Sequence, residues 1–161
     1  MGQVTRIGEV LDAVLTLVGD VATADPLGDG SKFQVLDGPK VGYVMENAIC
    51  VGLTDGPERP GYAAAIEPAA GLGRTRTIER VTISCLLTMS TGDSDDGVLA
   101  RLRTAATTVL AGIDDALRDQ SVKRPIWSRA GLSGQHEWIP VLHQAGATVN
   151  VLFAVEATCL L

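Results

Sequence analysis

Two stretches of strict alternation constrain this chain most. From Ile78 to Met89, Val81, Ile83, Cys85, Leu87 and Met89 take every second position, and Arg80, Thr82, Ser84 and Thr88 stand between them, with Leu86 as the exception. Near the C-terminus Ala147, Val149, Val151, Phe153, Val155, Ala157 and Cys159 alternate with Thr148, Asn150, Glu156 and Thr158. Side chains along a strand point to opposite faces in turn. The pattern therefore predicts a sheet with one face covered and the other open.

The cover is found in two amphipathic stretches. Val4, Ile7, Val10, Leu11, Val14, Leu15 and Val18 recur at spacings of three and four, which predicts a helix from Thr5 to Gly19. A second helix is predicted from Asp95 to Arg118, with Val98, Leu102, Ala105, Val109, Ile113 and Leu117 on its inner face. Ala105, Ala106, Ala111 and Ala116 allow it to pack closely. Asp20 to Lys32 reads as a polar loop, and Phe33–Asp37 and Asn47–Leu53 as short strands. Each strand is followed by Asp-Gly-Pro, at Asp37 and at Asp55. These residues supply unusual dihedrals, a fixed φ and local side-chain hydrogen bonds, so they read as turns rather than as a phosphate loop.

Thr54 to Thr75, with three prolines and four glycines, is expected to be a long connection without an element of its own. Such connections are uncommon in compact domains and are usually functional. Asp119 to Ala130 reads as a basic linker. A long hairpin, Leu132–Leu142 and Gly146–Cys159, closes the chain around a turn near His143. At 161 residues the chain is expected to form a single domain, 1–161, burying roughly 68–70% of its unfolded surface. The order of elements lacks regular strand–helix–strand alternation. The fold class expected is α+β, a mainly antiparallel sheet with two helices packed on one face.

Composition narrows the function classes. Aromatic residues are 4% of the chain, poor material for a base-stacking platform, and the net charge of −6 opposes a sequence-independent grip on phosphate. Cys50, Cys85 and Cys159 lie far apart in apolar runs, which suits buried free thiols. No apolar run approaches the ~18 residues of a membrane helix, and the first residues lack a signal-peptide layout, so a soluble cytoplasmic protein is expected.

Motifs of chemistry are approached and missed. Gly71-Leu72-Gly73-Arg74 starts like a dinucleotide fingerprint, but the third Gly is missing and a strand pattern follows. Gly131-Leu132-Ser133-Gly134-Gln135 fails the nucleophile elbow at its last position. His136 and His143, the only histidines, have no Cys partner at zinc spacing. Asp93, Asp95 and Asp96 precede the second helix, where carboxylates accept free N–H groups and favour the dipole, so they read as caps rather than a metal site. No catalytic residue, metal or cofactor is expected. Arg74, Arg76 and Arg80 form a basic stripe suited to ion pairs across a fold or an interface, or to an anion.

The order of parts resembles the tail terminator (tail completion) proteins of long-tailed phages, especially phages of high-GC actinobacteria. The residues that carry the resemblance are Val35-Leu36-Asp37-Gly38-Pro39, then Cys50-Val51-Gly52, then GLGRTRTIERVTISCLLTM, the Gly92-Asp93 turn before an Ala-rich helix ending Asp114-Asp115-Ala116-Leu117-Arg118, and the last strand GATVNVLFAVEATCLL. It covers nearly the whole chain. The stretch PGYAAAIEPAAG departs from the commoner pattern, which is more polar there. The resemblance implies a hexameric ring of copies that caps the tail tube at its head-proximal end, stops its growth and offers a docking surface to the head-tail connector protein. The partners implied are the major tail tube protein and the connector, with DNA passing through the lumen without specific binding and no membrane. The location implied is the virion tail, and the host cytoplasm during assembly.

The interface residues expected are Arg59, Tyr62, Ile66, Arg74, Arg76 and Arg80, with Glu67 and the Asp93 to Asp96 cluster as candidate partners across it. The stretch Thr54–Thr75 is expected to be mobile in a free subunit and ordered by a neighbour or the tube. Two alternatives stand beside this: a head-closure protein or other neck or minor tail protein, and a small anion-binding domain or enzyme using the arginine stripe.

Overall fold

In the computed structural model, residues 4–22, 33–38, 47–53, 60–68, 76–123 and 126–161 are described. The two alternating stretches form the paired centre of the sheet. They are β4, Thr77–Thr91, and β7, Gly146–Leu160, antiparallel from Ile78↔Leu160 to Thr91↔Ala147. Their register puts Val81, Ile83, Cys85, Leu87 and Met89 on one face with Ala157, Val155, Phe153, Val151 and Val149, all of them buried. Leu86, the exception in the alternation, lies on the other face directly opposite Leu152, so the two make an apolar cross-strand pair. Beside them Thr88 Oγ1 bonds Asn150 Oδ1 at 2.9 Å.

Two helices cover the buried face. Helix α1, Ile7–Ala22, contributes Val10, Val14, Leu17 and Val18, and α2, Val98–Lys123, contributes Val98, Leu102, Ala105, Val109, Ile113 and Leu117 to the same core. All six predicted inner positions of α2 are buried. The helix boundaries differ from expectation: α1 begins and ends later, leaving Val4 exposed, and α2 runs on to Lys123. Asp119, Gln120 and Ser121 bring no apolar residue to the stripe and so hid that last turn.

The other strands flank the central pair. On one side of β4, its half nearer Met89 pairs antiparallel with β2, Asn47–Val51, which pairs parallel with β1, Gln34–Asp37. The other half of β4 pairs antiparallel with β3, Tyr62–Pro68. On the far side, β7 pairs with β5, Arg129–Leu132, and with β6, Glu137–His143. Among the described residues this is a seven-stranded, mostly antiparallel sheet with both helices on one face, an α+β fold.

Two sequence expectations are corrected. The stretch read as an elementless connection contains β3. Its prolines and Gly61 stand at the ends, at Pro60, Gly61 and Pro68, and the alanines between them have weak strand preference. All seven β3 residues are exposed, so no buried set alternates to announce a strand. The first arm of the closing hairpin is two strands rather than one, broken at Ser133–His136, where the Ser133 hydroxyl accepts the Gln135 N–H at 3.2 Å. Residues 54–59 and 69–75 of that stretch, with Arg59 and Arg74, lie outside the described residues.

The first Asp-Gly-Pro does act as a turn. Gly38 has φ +80° and donates its N–H to Val51 O at 2.7 Å, tying the end of β1 to β2. Pro39 and the second Asp-Gly-Pro lie outside the described residues.

Candidate assembly surface

The sheet is wider than its helix layer. Every residue of β3 and of β6 is exposed, whereas the strands they pair with are buried on the helix side. Register assigns the faces. Tyr62 stands opposite Ile83, Ala64 opposite Val81 and Ile66 opposite Glu79, so all three lie on the helix side, beyond the reach of the helices. Trp138 and Leu142, opposite Val151 and Ala147, lie on the same side of β6. Tyr62 is 48% exposed, Ile66 51% and Leu142 60%, so these overhanging strands carry apolar surface without a cover.

Four of the expected interface residues gather on β3 and the start of β4. Tyr62 and Ile66 are on β3, Arg76 is exposed just before β4, and Arg80 is exposed on the open face of β4. Of the carboxylates expected as partners across an interface, Glu67, Asp93 and Asp95 are engaged within the subunit. Arg80 Nε meets Glu67 Oε2 at 3.3 Å, a diagonal pair on the open face between β3 and β4. Arg101 grips Asp95 through two bonds of 2.7 and 2.8 Å and reaches Asp93 at 3.5 Å. Asp95 Oδ2 also accepts the Gly97 N–H at 3.2 Å, so it orders the turn into α2. The Arg101 hydrogen bonds hold the Asp95 carboxyl down at about 2. Arg101 was not among the sequence candidates; its position in the first turn of α2, after three aspartates, is the signal that points to it.

Glu79 is a second residue the pattern concealed. It shares the parity of Val81 and Ile83, which puts a carboxylate on the apolar face, and it is fully buried. Its carboxylate accepts the Arg6 backbone N–H at 2.6 Å and the Thr5 hydroxyl, at the entry to α1. Negative charge at a helix N-terminus is favourable, and the bonds satisfy groups the helix leaves unpaired. Thr5 Oγ1 in turn accepts the Ile7 N–H at 3.2 Å.

On the far side, Asp114 of α2 holds the edge of β5. Its Oδ1 accepts the Leu132 N–H at 2.8 Å, and its Oδ2 accepts Arg118 Nε at 2.8 Å. Partial burial works against the charge of Asp114, but these bonds and the positive charge of Arg118 outweigh it and lower its pKa. A groove of about 320 Å³ runs between α2 and β5–β6, walled by Leu110, Leu132 and Trp138, with Asp114 and His136 at its sides. Asp114 is committed to its two partners, and His136 Nε2 lies 2.9 Å from Ser133 O.

The cysteines are not placed as nucleophiles. Cys50, Cys85 and Cys159 are buried free thiols, and burial pushes Cys85 up to about 12 and raises Cys159. A thiol so shifted carries almost no thiolate at neutral pH. Among the described residues no group of three or more His, Cys, Asp or Glu side chains is arranged to hold a metal ion, and no helix is long and apolar enough to cross a membrane.

No family model matches the chain, and no curated protein matches it in sequence. Among solved structures it is similar to a chain of the virion of a native gene transfer agent (GTA) particle, at 15% identity and a TM-score of 0.36, over 89% of this chain and 93% of that one.

Proposed function

We propose that this chain is a virion structural protein that works as a tail terminator: copies form a ring, of six subunits as the sequence resemblance implies, that caps the tail tube, ends its polymerisation and receives the head connector. The observation that carries the reading is the overhang of β3 and β6. A subunit whose sheet extends beyond its own helices, with apolar side chains on the uncovered strands, is built to be completed by other chains. The order of sequence parts supplies the kind of assembly.

The charge balance supports the same reading. At a net charge of −6 the subunit repels DNA overall, as suits a passage that DNA crosses without sticking. The helix-free sheet face offers mostly hydroxyl and amide groups from Thr82, Ser84, Thr88, Thr148 and Asn150. The partners proposed are further copies of the chain, the tube protein and the connector, in the virion tail at its head-proximal end. No catalytic or metal-dependent step enters, and tightly bound zinc in elemental analysis of the purified protein would count against it.

Binding to preformed tail tubes tests the reading. A terminator binds their ends and stops further growth; a head-closure or minor tail protein of similar size leaves tube growth unchanged. The anion-binding alternative is weakened at Arg80, which Glu67 already engages.

A further inference from the structure

Three edges of this sheet differ in how they meet solvent. At β5, the Leu132 N–H is taken by Asp114. At β6, Pro140 stands mid-strand and has no N–H to offer, a common means of blunting an edge. At β3 neither device is present: Pro60 and Pro68 lie at the ends, and Tyr62 to Glu67 run uninterrupted and exposed. Unpaired edges are templates for another strand, and proteins ordinarily block them.

The direction of β3's unused groups follows from its register. Ser84 N–H donates to Gly61 O at 2.8 Å, so Gly61 faces β4, and with it, at every second position, Ala63, Ala65 and Glu67. The N–H and C=O groups of Tyr62, Ala64 and Ile66 therefore point to the free edge. This set is self-complementary. A second β3 laid antiparallel about a two-fold axis through Ala64 sets Ala64 against Ala64 and Tyr62 against Ile66 twice. All three outward N–H groups then find carbonyls, and both apolar pairs fall on the helix side. Alanines at 63, 64 and 65 put no bulk in the way, and Glu67, the one charge in the strand, is tied to Arg80. β1 and β2 flank the other half of β4, Cys85–Met89, so among the described residues no strand lies on this half of the edge.

We propose that free copies of this chain pair through β3, forming a two-fold dimer whose two sheets join into one. Aromatic and β-branched side chains opposite one another favour such pairing, and two-fold contacts of one patch with itself are the commonest form of self-association. The contact reverses one copy end for end within the joined sheet, so it cannot be the repeated head-to-tail contact of a ring with two different faces. It stands apart from the ring reading and belongs to the protein before it assembles. Seven residues a side is small beside a standard interface of ~20–30, so the pairing is reversible.

Cysteine cross-linking of the full chain tests it. With the native cysteines buried, Ala64→Cys should give a disulfide-linked dimer on mild oxidation, because the two copies of residue 64 are direct neighbours across the axis. Ala63→Cys should give far less, since residue 63 faces residue 65 of the other copy. In sedimentation the unmodified protein should shift from monomer to dimer as concentration rises. Ala64→Pro, which removes an outward N–H and no bond to β4, should abolish the shift while leaving the melting temperature close to that of the parent. A protein that stays monomeric throughout, or cross-links no better at 64 than at 63, overturns the proposal. Rings on tail tubes without cross-linking at 64 would sink the dimer and leave the ring reading standing; the converse result would do the opposite.

Discussion

The Glu79 carboxylate accepts the Arg6 backbone N–H at 2.6 Å across 73 residues of sequence, pinning the start of α1 to the central strand of the sheet. The same carboxylate takes the Thr5 hydroxyl. Glu79→Ala should therefore leave the Arg6 N–H without its acceptor, at about 1–3 kcal/mol, whereas Thr5 is exposed and its hydroxyl can turn to water. Glu79→Gln, which keeps an acceptor oxygen, should cost less. Denaturant midpoints would rank the three proteins in that order, and hydrogen exchange should show the loss concentrated in the first turn of α1. Equal midpoints for the parent and Glu79→Ala would show the anchor to be unimportant.

Gly146 begins β7 with φ +136°, and a Cβ there would lie 2.0 Å from Thr91 O. Gly146→Ala should cost about 1–3 kcal/mol from backbone conformation alone, with the clash against backbone adding to it. Gly134→Ala is the matched control, because nothing lies within 4 Å of its added methyl. Thermal melts should show a large drop for the first and little change for the second.

Val109 is 6% exposed in the stripe of α2 that faces the sheet. Val109→Asp would bury an unpaired charge, a large share of a typical stability of about 5–15 kcal/mol. The variant should be insoluble or unfolded. Cooperative melting at the parent's temperature would contradict the packing described.

Asp114 gives a pH signature. Its folded pKa lies below the ordinary 3.8, so the stabilisation it gives is complete above the unfolded value and is lost as pH falls through the folded one. Asp114→Ala should be less stable than the parent by about 1–3 kcal/mol at neutral pH, through the lost acceptor for Leu132 N–H. The gap should begin to narrow below about pH 4, where the carboxyl of the unfolded chain protonates, and go on narrowing through the lower folded pKa. A gap constant down to pH 2 would remove the charge from the explanation.

The sequence revealed the parts that bury an alternating or helical set. β4, β7 and the inner face of α2 could be read because burial imposes a period on residue type. β3 could not, since a strand exposed on both faces has no buried set to repeat, and its Tyr-Ala-Ala-Ala-Ile run has no strong strand preference. Glu79 escaped notice for the opposite reason: it sits at a buried position with a side chain that composition assigns to the surface. Of the interface candidates, Tyr62, Ile66, Arg76 and Arg80 do share one end of the sheet, but the pairing of Arg80 with Glu67 depends on β3 and was beyond reach without it.

Arg76 is exposed at the end of the sheet where β3 meets β4, on a subunit of net charge −6. Copies of an acidic subunit repel unless basic groups face carboxylates. Arg76→Glu should leave the monomer folded and weaken ring or tube association, more at low salt, where repulsion is least screened. Sedimentation at two ionic strengths measures this; unchanged assembly at both would take Arg76 out of the interface.

The central claim is best tested by electron microscopy of tail tubes assembled with and without the purified protein. A ring-forming terminator should appear as an added ring at one end of each tube, and tubes carrying it should stop lengthening when more tube protein is supplied. Bare tube ends and undiminished growth in the presence of the protein would contradict the account.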